Sequence, residues 1–224
     1  SGATFAVSGT MNASSITAGT VATARLGSGT ASSSTVLYGD QTYKAEPSGT
    51  HVLLNSTTTS DVASYTTSGY ADHSKYSFYK VYARLEFVSN GISLRFGFRA
   101  SGSTLTASDY RSITNGMKNT AGTLAATTDN SWDVGEPVIA TNISYGYPTF
   151  ITAEVYHDVS GGIGHYSMMK GTMMIPRWNG SATEERLSTF SILYDNSAAT
   201  DGFSFFASSG NIYRGEMYVY GVAK

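Results

Sequence analysis

Residues 79–99 read YKVYARLEFVSNGISLRFGFR, and apolar and polar side chains alternate on both sides of an Asn-Gly pair. Alternation of this kind is typical of β-strands with one face in the core. Asn-Gly between two such runs is the strongest short-range signal for a two-residue hairpin turn. That turn would pair Phe87 with Leu94 on an apolar face and Glu86 with Arg95 on a charged face. The sequence therefore predicts an antiparallel hairpin with this register. A shift of one residue would destroy both the apolar and the charged face.

Further strand signals follow along the chain, and no long segment has the apolar spacing of a helix. The predicted strands are 150–157, 165–175, 190–194, 203–207 and 216–222. Serine, threonine, glycine and tyrosine are abundant, and these residues are poor helix formers or good strand formers. We therefore expect an all-β chain with many short strands and wide loops, folded as a jelly-roll-like antiparallel β-sandwich.

Composition excludes several classes of function. Charged residues are only 13% of the 224 residues and the net charge is −2, so we expect no nucleic-acid partner. The absence of cysteine excludes disulfides, thiolate metal sites and a cysteine nucleophile. No apolar run approaches the length of a membrane span. Nothing in the sequence implies a cofactor.

The chain changes character near residue 45. Residues 1–44 are small and polar with isolated apolar positions, so they bury too little apolar area to offset the entropy of ordering a core of their own. Residues 46–49 read EPSG and predict a turn at a boundary. We expect a shaft or attachment segment over 1–44 and a β-sandwich head domain over 45–224.

Two blocks of sequence carry a resemblance to a known family. Residues 19–31 read GTVATARLGSGTA and residues 37–43 read LYGDQTY, a combination that resembles a segment of many tailed-phage fibre proteins. Tyr43 stands at the closing aromatic position of that segment. The second block resembles the C-terminal module of phage fibres and comprises YSFY at 76–79, GISLRF at 91–96, SDY at 108–110, SGNI at 209–212, Gly215 and YVYGV at 218–222. Val222 stands where such modules usually have isoleucine, and residues from about 112 to 185 carry no resemblance.

The resemblance implies a homotrimeric virion fibre that binds the host surface. By the same resemblance the chain would be made in the bacterial cytoplasm and displayed on the virion surface. Its N-terminal segment would attach to other virion proteins. Whether that position is on the tail or on the capsid is open.

Glycoside cleavage is the natural enzymatic alternative, because it needs two carboxylates on either side of a cleft. Asp129, Asp133 and Glu136 lie close together in sequence with Trp132 among them. The simpler interpretation is a solvated acidic loop with one packed tryptophan. His157 and His165 could meet across a hairpin, but we interpret them as ordinary surface side chains, and we expect no metal site.

Aromatic residues in loops are the better candidates for binding, since the apolar faces of sugar rings stack on aromatic rings. The candidate ligand-binding residues are Trp132, Tyr145, Tyr147, Tyr166, Trp178 and Tyr213, together with Asp129 and Arg177. Loops carry binding residues more often than the strands that they connect. Packing at a trimer interface or at a sheet edge is the structural alternative for each of them.

From the sequence we expect a bacteriophage virion fibre protein that binds a host surface receptor without catalysis, and the expected receptor is a glycan. One alternative is a capsid decoration or head-fibre protein with a structural role. A second alternative is a depolymerase of surface polysaccharide that acts through Asp129 and Asp133.

Overall fold

The computed structural model describes residues 26–32, 35–45, 51–105, 109–120, 123–134, 137–158, 166–195 and 198–224. The chain divides into two compact units, residues 1–48 and 49–224. In the first unit, β1 (Thr35–Leu37) and β2 (Tyr43–Ala45) form a short antiparallel hairpin.

The two halves of the N-terminal sequence block contact each other in the first unit. The Ser28 N–H donates to the carbonyl of Gln41 over 2.9 Å, and the Ser28 carbonyl accepts from the Tyr43 N–H over 2.8 Å. A Cβ atom at Gly27 would lie only 2.4 Å from the Gln41 carbonyl oxygen. Glycine at 27 therefore lets the two backbones approach closely enough for these bonds.

The second unit is built of strands, which we number β3 to β15. They are β3 (His51–Val62), β4 (Ser64–Thr67), β5 (Tyr76–Phe87), β6 (Ile92–Ala100), β7 (Ser103–Thr104), β8 (Tyr110–Thr120), β9 (Thr123–Val134), β10 (Val138–Ile143), β11 (Thr149–Tyr156), β12 (Tyr166–Trp178), β13 (Thr183–Asp195), β14 (Gly202–Ala207) and β15 (Ile212–Ala223). Seven of them are 11 to 13 residues long. The all-β prediction is confirmed, but most of the structure lies in strands longer than we expected. No helix in the described part of the chain is long and apolar enough to cross a membrane.

All thirteen strands belong to one antiparallel sheet that nearly closes on itself. Its main path runs β3-β15-β5-β11-β12-β10-β6-β14-β4. At β12 the sheet branches, and β13, β8 and β9 continue from the second edge of that strand. The single O–H of Tyr65 on β4 is shared between two carbonyl acceptors, that of Thr57 on β3 and that of Gly215 on β15, the latter over 3.1 Å. These bonds join the two ends of the path.

The core lies inside this curled sheet and is strongly aromatic. Alternate residues of β5, β6, β11, β12 and β15 point into it, as the period of two requires. From β3, Leu54 and Val62 pack against this core while remaining partly exposed. Phe96 and Phe98 of β6 meet edge to face with centroids 4.9 Å apart, and Phe96 stacks on Phe203 of β14. The inward faces predicted for residues 79–87 and 92–98 are confirmed.

The predicted hairpin between β5 and β6 is wrong. β5 pairs with β15 on one edge and with β11 on the other, whereas β6 pairs with β14, β10 and β7. Glu86 lies opposite Arg214 rather than Arg95. The Asn-Gly segment therefore carries the chain across the core instead of folding it back in the plane of the sheet. Two facing strands show the same alternation as two paired strands, so the pattern predicts which face is buried but not which strand is the neighbour.

The remaining predicted segments differ from the structure in their bounds or in their type. The five strands predicted from residue 150 onwards are all present as β11 to β15; β11 is shifted by one residue, and β13 and β15 are much longer than predicted. The predicted acidic loop is wrong, because residues 123–134 form β9 and pair with β8. Most residues of β8 and β9 are polar, so their sequences show no clear alternation of apolar and polar residues.

Candidate functional site

One face of the sheet carries large exposed side chains across several strands. This outer face consists of the residues that alternate with the core positions on β3, β15, β5, β11, β12 and β13. The register aligns these residues in rows that cross the strands. The first row is Lys170, Glu154, Lys80 and Tyr220; the second is Thr189, Thr172, Thr152, Tyr82 and Tyr218; the third is Leu187, Met174, Phe150, Arg84, Glu216 and Thr58.

Three shallow depressions lie side by side on this face, and we call them together the outer furrow. The first, of about 450 Å³, lies over β5, β11, β12 and β13. The second, of about 240 Å³, shares Tyr82 and Thr152 with the first. The third, of about 400 Å³, shares Arg84 and Glu216 with the second and reaches β3. With strands about 4.8 Å apart, the furrow spans roughly 24 Å across six strands.

Aromatic side chains line the centre of the outer furrow. Tyr82 is 41% exposed, Tyr218 is 36% exposed and Phe150 is 42% exposed. Tyr82 and Tyr218 are direct cross-strand neighbours, and Phe150 lies one row further along. Aromatic rings held on rigid strands offer apolar faces at little cost in side-chain entropy, and a tyrosine adds a polar hydroxyl at its edge.

Charged side chains flank these aromatic residues. Lys170 contacts Glu154 over 3.2 Å, and its amino group lies 5.5 Å from the centre of the Tyr156 ring. The hydrogen bond to Glu154 raises the pKa of Lys170 above its usual value. Arg84 contacts both Glu86 and, over 3.8 Å, Glu216.

The floor of the first depression is backbone. Ala153 and Phe190 line it, but both are buried and lie on the inward-pointing register positions. Gly171 also lies there, and a Cβ atom on it would come within 2.4 Å of the Thr152 carbonyl oxygen. Glycine thus permits the close approach of β11 and β12 beneath the furrow.

Five of the candidate residues lie together at one end of the sheet, beside the outer furrow and not among its lining residues. The expectation of loop positions is wrong for Arg177 and Trp178, which end β12, and for Tyr213, which lies in β15. Hydrogen bonds join the turns at one end of the sheet, which we call the tip: Tyr145 N–H to Asn90 Oδ1 over 2.7 Å, and Ser144 N–H to the carbonyl of Pro176 over 2.7 Å. The candidates at the tip are Tyr145, Tyr147, Arg177, Trp178 and Tyr213. Tyr145 and Tyr147 are 54% and 53% exposed. Arg177 is 3.7 Å from the buried Glu184, which contributes to fixing its position.

The remaining candidates lie elsewhere. Tyr166 is the first residue of β12, so it lies at the far end of the strand that ends with Trp178 at the tip. Trp132, Asp129 and Asp133 belong to β9, and their side chains lie outside the described residues. Glu136 also lies outside them. The acidic grouping proposed for glycoside cleavage is therefore not tested. No cluster of three potential metal ligands occurs among the residues that the structure describes.

His157 is not the surface side chain that we expected. It is 3% exposed, its Nε2 lies 2.7 Å from the hydroxyl of Tyr70, and its Nδ1 lies 2.8 Å from that of Thr200. Burial, with a smaller effect of the nearby His73, lowers the pKa of His157 to about 3. The ring is therefore neutral at physiological pH and belongs to the core rather than to a binding site. His165 lies outside the described residues.

Sequence reasoning missed the outer furrow. The outward positions of β5, Lys80, Tyr82 and Arg84, were visible in the alternation, but we assigned them only to a charged hairpin face. Their neighbours Thr152 and Tyr218 come from β11 and β15, far away in the chain. No local pattern could bring these three strands together.

Comparison of the chain with known proteins adds no relative. No family model, curated protein or solved structure matches it.

Proposed function

We propose that this chain is a bacteriophage virion fibre protein that binds a glycan on the host cell surface without catalysis. The observation that carries the proposal is the outer furrow, where Tyr82, Tyr218 and Phe150 form an exposed aromatic platform on a rigid sheet. The resemblance of residues 19–43 and of the C-terminal strands to tailed-phage fibre modules supports the assignment to a virion.

The form of the furrow favours an extended saccharide over a compact ligand. It is shallow, it crosses six strands, and threonines line it beside the aromatic rings. Small-molecule sites are usually deep and enclose most of their ligand. A chain of sugars instead presents apolar ring faces to the aromatic residues and hydroxyls to the threonines of the second row.

Three copies of the chain would combine weak sites into tight attachment. We include a homotrimer and a jelly-roll-like arrangement of the head in the proposal, with residues 1–44 attached to other virion proteins. Three sites on one rigid particle raise the apparent affinity by roughly 10²–10⁴ when they engage the same surface together.

The test is binding of the purified chain to a panel of bacterial strains and to their isolated surface polysaccharides. We expect saturable binding to the cells of a subset of strains and to the polysaccharide from the same strains. We expect no release of reducing ends during that incubation. Absence of binding to every strain and polysaccharide would contradict the proposal and favour a structural role on the capsid, while release of reducing ends would favour the depolymerase.

A further inference from the structure

The charges that line the outer furrow do not balance. Four cations line it, Lys80, Lys170, Arg84 and Arg214, whereas the carboxylates among its lining residues are Glu154 and Glu216. The whole chain has a net charge of −2. A positive furrow on a negatively charged chain is the arrangement that attracts an anionic ligand to one place.

Two of the four cations are neutralised by close carboxylates. Lys170 is held by Glu154, which also accepts a hydrogen bond from the Tyr156 hydroxyl over 3.2 Å. Arg84 lies between Glu86 and Glu216.

The other two cations have no such neighbour. Among the described residues no carboxylate lies within 4 Å of Lys80, although Glu154 is opposite it across the strands. Among the described residues no carboxylate lies within 4 Å of Arg214 either. Its guanidinium lies 5.0 Å from the centre of the Tyr213 ring. The first depression therefore contains one cation without a carboxylate partner among the described residues, Lys80, and the third contains another, Arg214, which contacts Tyr213.

Lys80 and Arg214 lie on either side of the aromatic residues along the strand direction. Tyr82 follows Lys80 by two residues on β5, so their side chains are about 7 Å apart on the same face. Arg214 lies opposite Glu86, six residues beyond Lys80 and one strand over, which separates the two cations by roughly 20 Å. The aromatic platform lies between them.

We propose that the ligand of the outer furrow is an anionic polysaccharide, with one acidic group at the Lys80 amino group and a second at the Arg214 guanidinium. Sugar rings between the two acidic groups lie against Tyr82 and Tyr218. The acidic group is a carboxylate on the sugar or a phosphate between sugars, and both offer the oxygen acceptors that an amino group and a guanidinium bind. This inference rests on the proposed glycan-binding function.

The experiment is an array of purified bacterial surface polysaccharides, anionic and neutral, probed with the full chain and four variants. Lys80→Gln and Arg214→Gln remove the proposed contacts, Lys80→Arg keeps the charge, and Lys75→Gln removes a lysine that is paired with Asp72 outside the furrow. Each bound polysaccharide is also tested after carboxyl reduction and after dephosphorylation. These two treatments distinguish the two sources of negative charge.

We expect every bound polysaccharide to be anionic and to lose binding after one of the two treatments. Lys80→Gln should weaken binding about tenfold or more, as expected for a lost hydrogen bond to a charged group, whereas Lys80→Arg should retain most of it and Lys75→Gln all of it. Equal binding of neutral polysaccharides, or unchanged binding by Lys80→Gln and Arg214→Gln, overturns this inference and leaves the proposed function standing. Binding to no polysaccharide overturns both.

Discussion

His157 shows how a single residue in the core makes stability depend on pH. Its ring nitrogens are both within hydrogen-bond distance of hydroxyls, and Thr200 in turn contacts Ser167 over 2.7 Å. The Tyr70 ring packs edge-on against the His157 ring, with centroids 5.3 Å apart. Protonation would place a charge inside this aromatic core, which is why burial lowers the pKa of the histidine.

We predict that the free energy of unfolding falls as the pH drops below about 6.5. In the unfolded chain His157 takes up a proton near its ordinary pKa of 6.5, whereas in the folded chain it does so only near 3. Between these values the unfolded state binds more protons, so stability is fully present above pH 6.5 and is lost progressively below it, by up to about 1.4 kcal/mol per pH unit. Urea unfolding between pH 7.5 and 5.0 measures this slope.

The control is His157→Gln, which keeps a polar partner for the two hydroxyls and cannot be protonated. Its slope over the same range should be much shallower. The small pH dependence that remains in this variant comes from His73, whose pKa is also lowered by burial. Equal slopes in the two proteins would show that His157 is not the buried titrating group.

At the scale of elements, β5 and β6 are consecutive strands that lie on opposite sides of the core. Their alternation was correctly predicted from the sequence, because burial of every second residue requires only a core on one side. Their pairing was not predictable from the same pattern, because strands that pair and strands that face each other bury the same residues. The edges of β5 are instead taken by β11 and β15, which begin about 60 and 125 residues beyond its end.

Cysteine pairs test this arrangement directly, because the chain contains no cysteine of its own. Arg95→Cys combined with Phe206→Cys places two thiols on registered neighbours of β6 and β14, and we expect a rapid disulfide. Arg95→Cys combined with Glu86→Cys reproduces the pair of the simple hairpin, and we expect none. Mobility on non-reducing gels distinguishes the two, and a disulfide between positions 86 and 95 would contradict the observed pairing.

The candidate site was predictable only in part, because local alternation does not determine which strands pair. Local turn signals correctly identified Tyr145 and Tyr147 as exposed loop aromatics of the tip, whereas Trp178 ends β12 and is only partly exposed. The outer furrow depends on the register of β5 with β11 and β15, a non-local property that no local sequence pattern determines. Tyr82 was visible as an outward residue, but the partners that make it part of a furrow were not.

At the scale of the whole molecule, we expect the proposed fibre protein to be a trimer in solution. The chain mass is 23.7 kDa, so light scattering on the purified chain should give about 71 kDa, three times that value. A mass of one chain at micromolar concentration would remove the contribution of avidity to attachment. The outer furrow of each subunit would then have to bind its ligand alone.

We propose that the outer furrow, and not the tip, binds the host glycan. The most direct measurement compares polysaccharide binding by two double variants, Tyr82→Ala with Tyr218→Ala in the furrow and Tyr145→Ala with Tyr147→Ala at the tip. All four tyrosines are substantially exposed, so both variants should fold, which circular dichroism verifies. We expect at least a tenfold loss of affinity for the furrow variant, about 1.4 kcal/mol, and little change for the tip variant. Loss of binding by the tip variant alone would contradict this proposal.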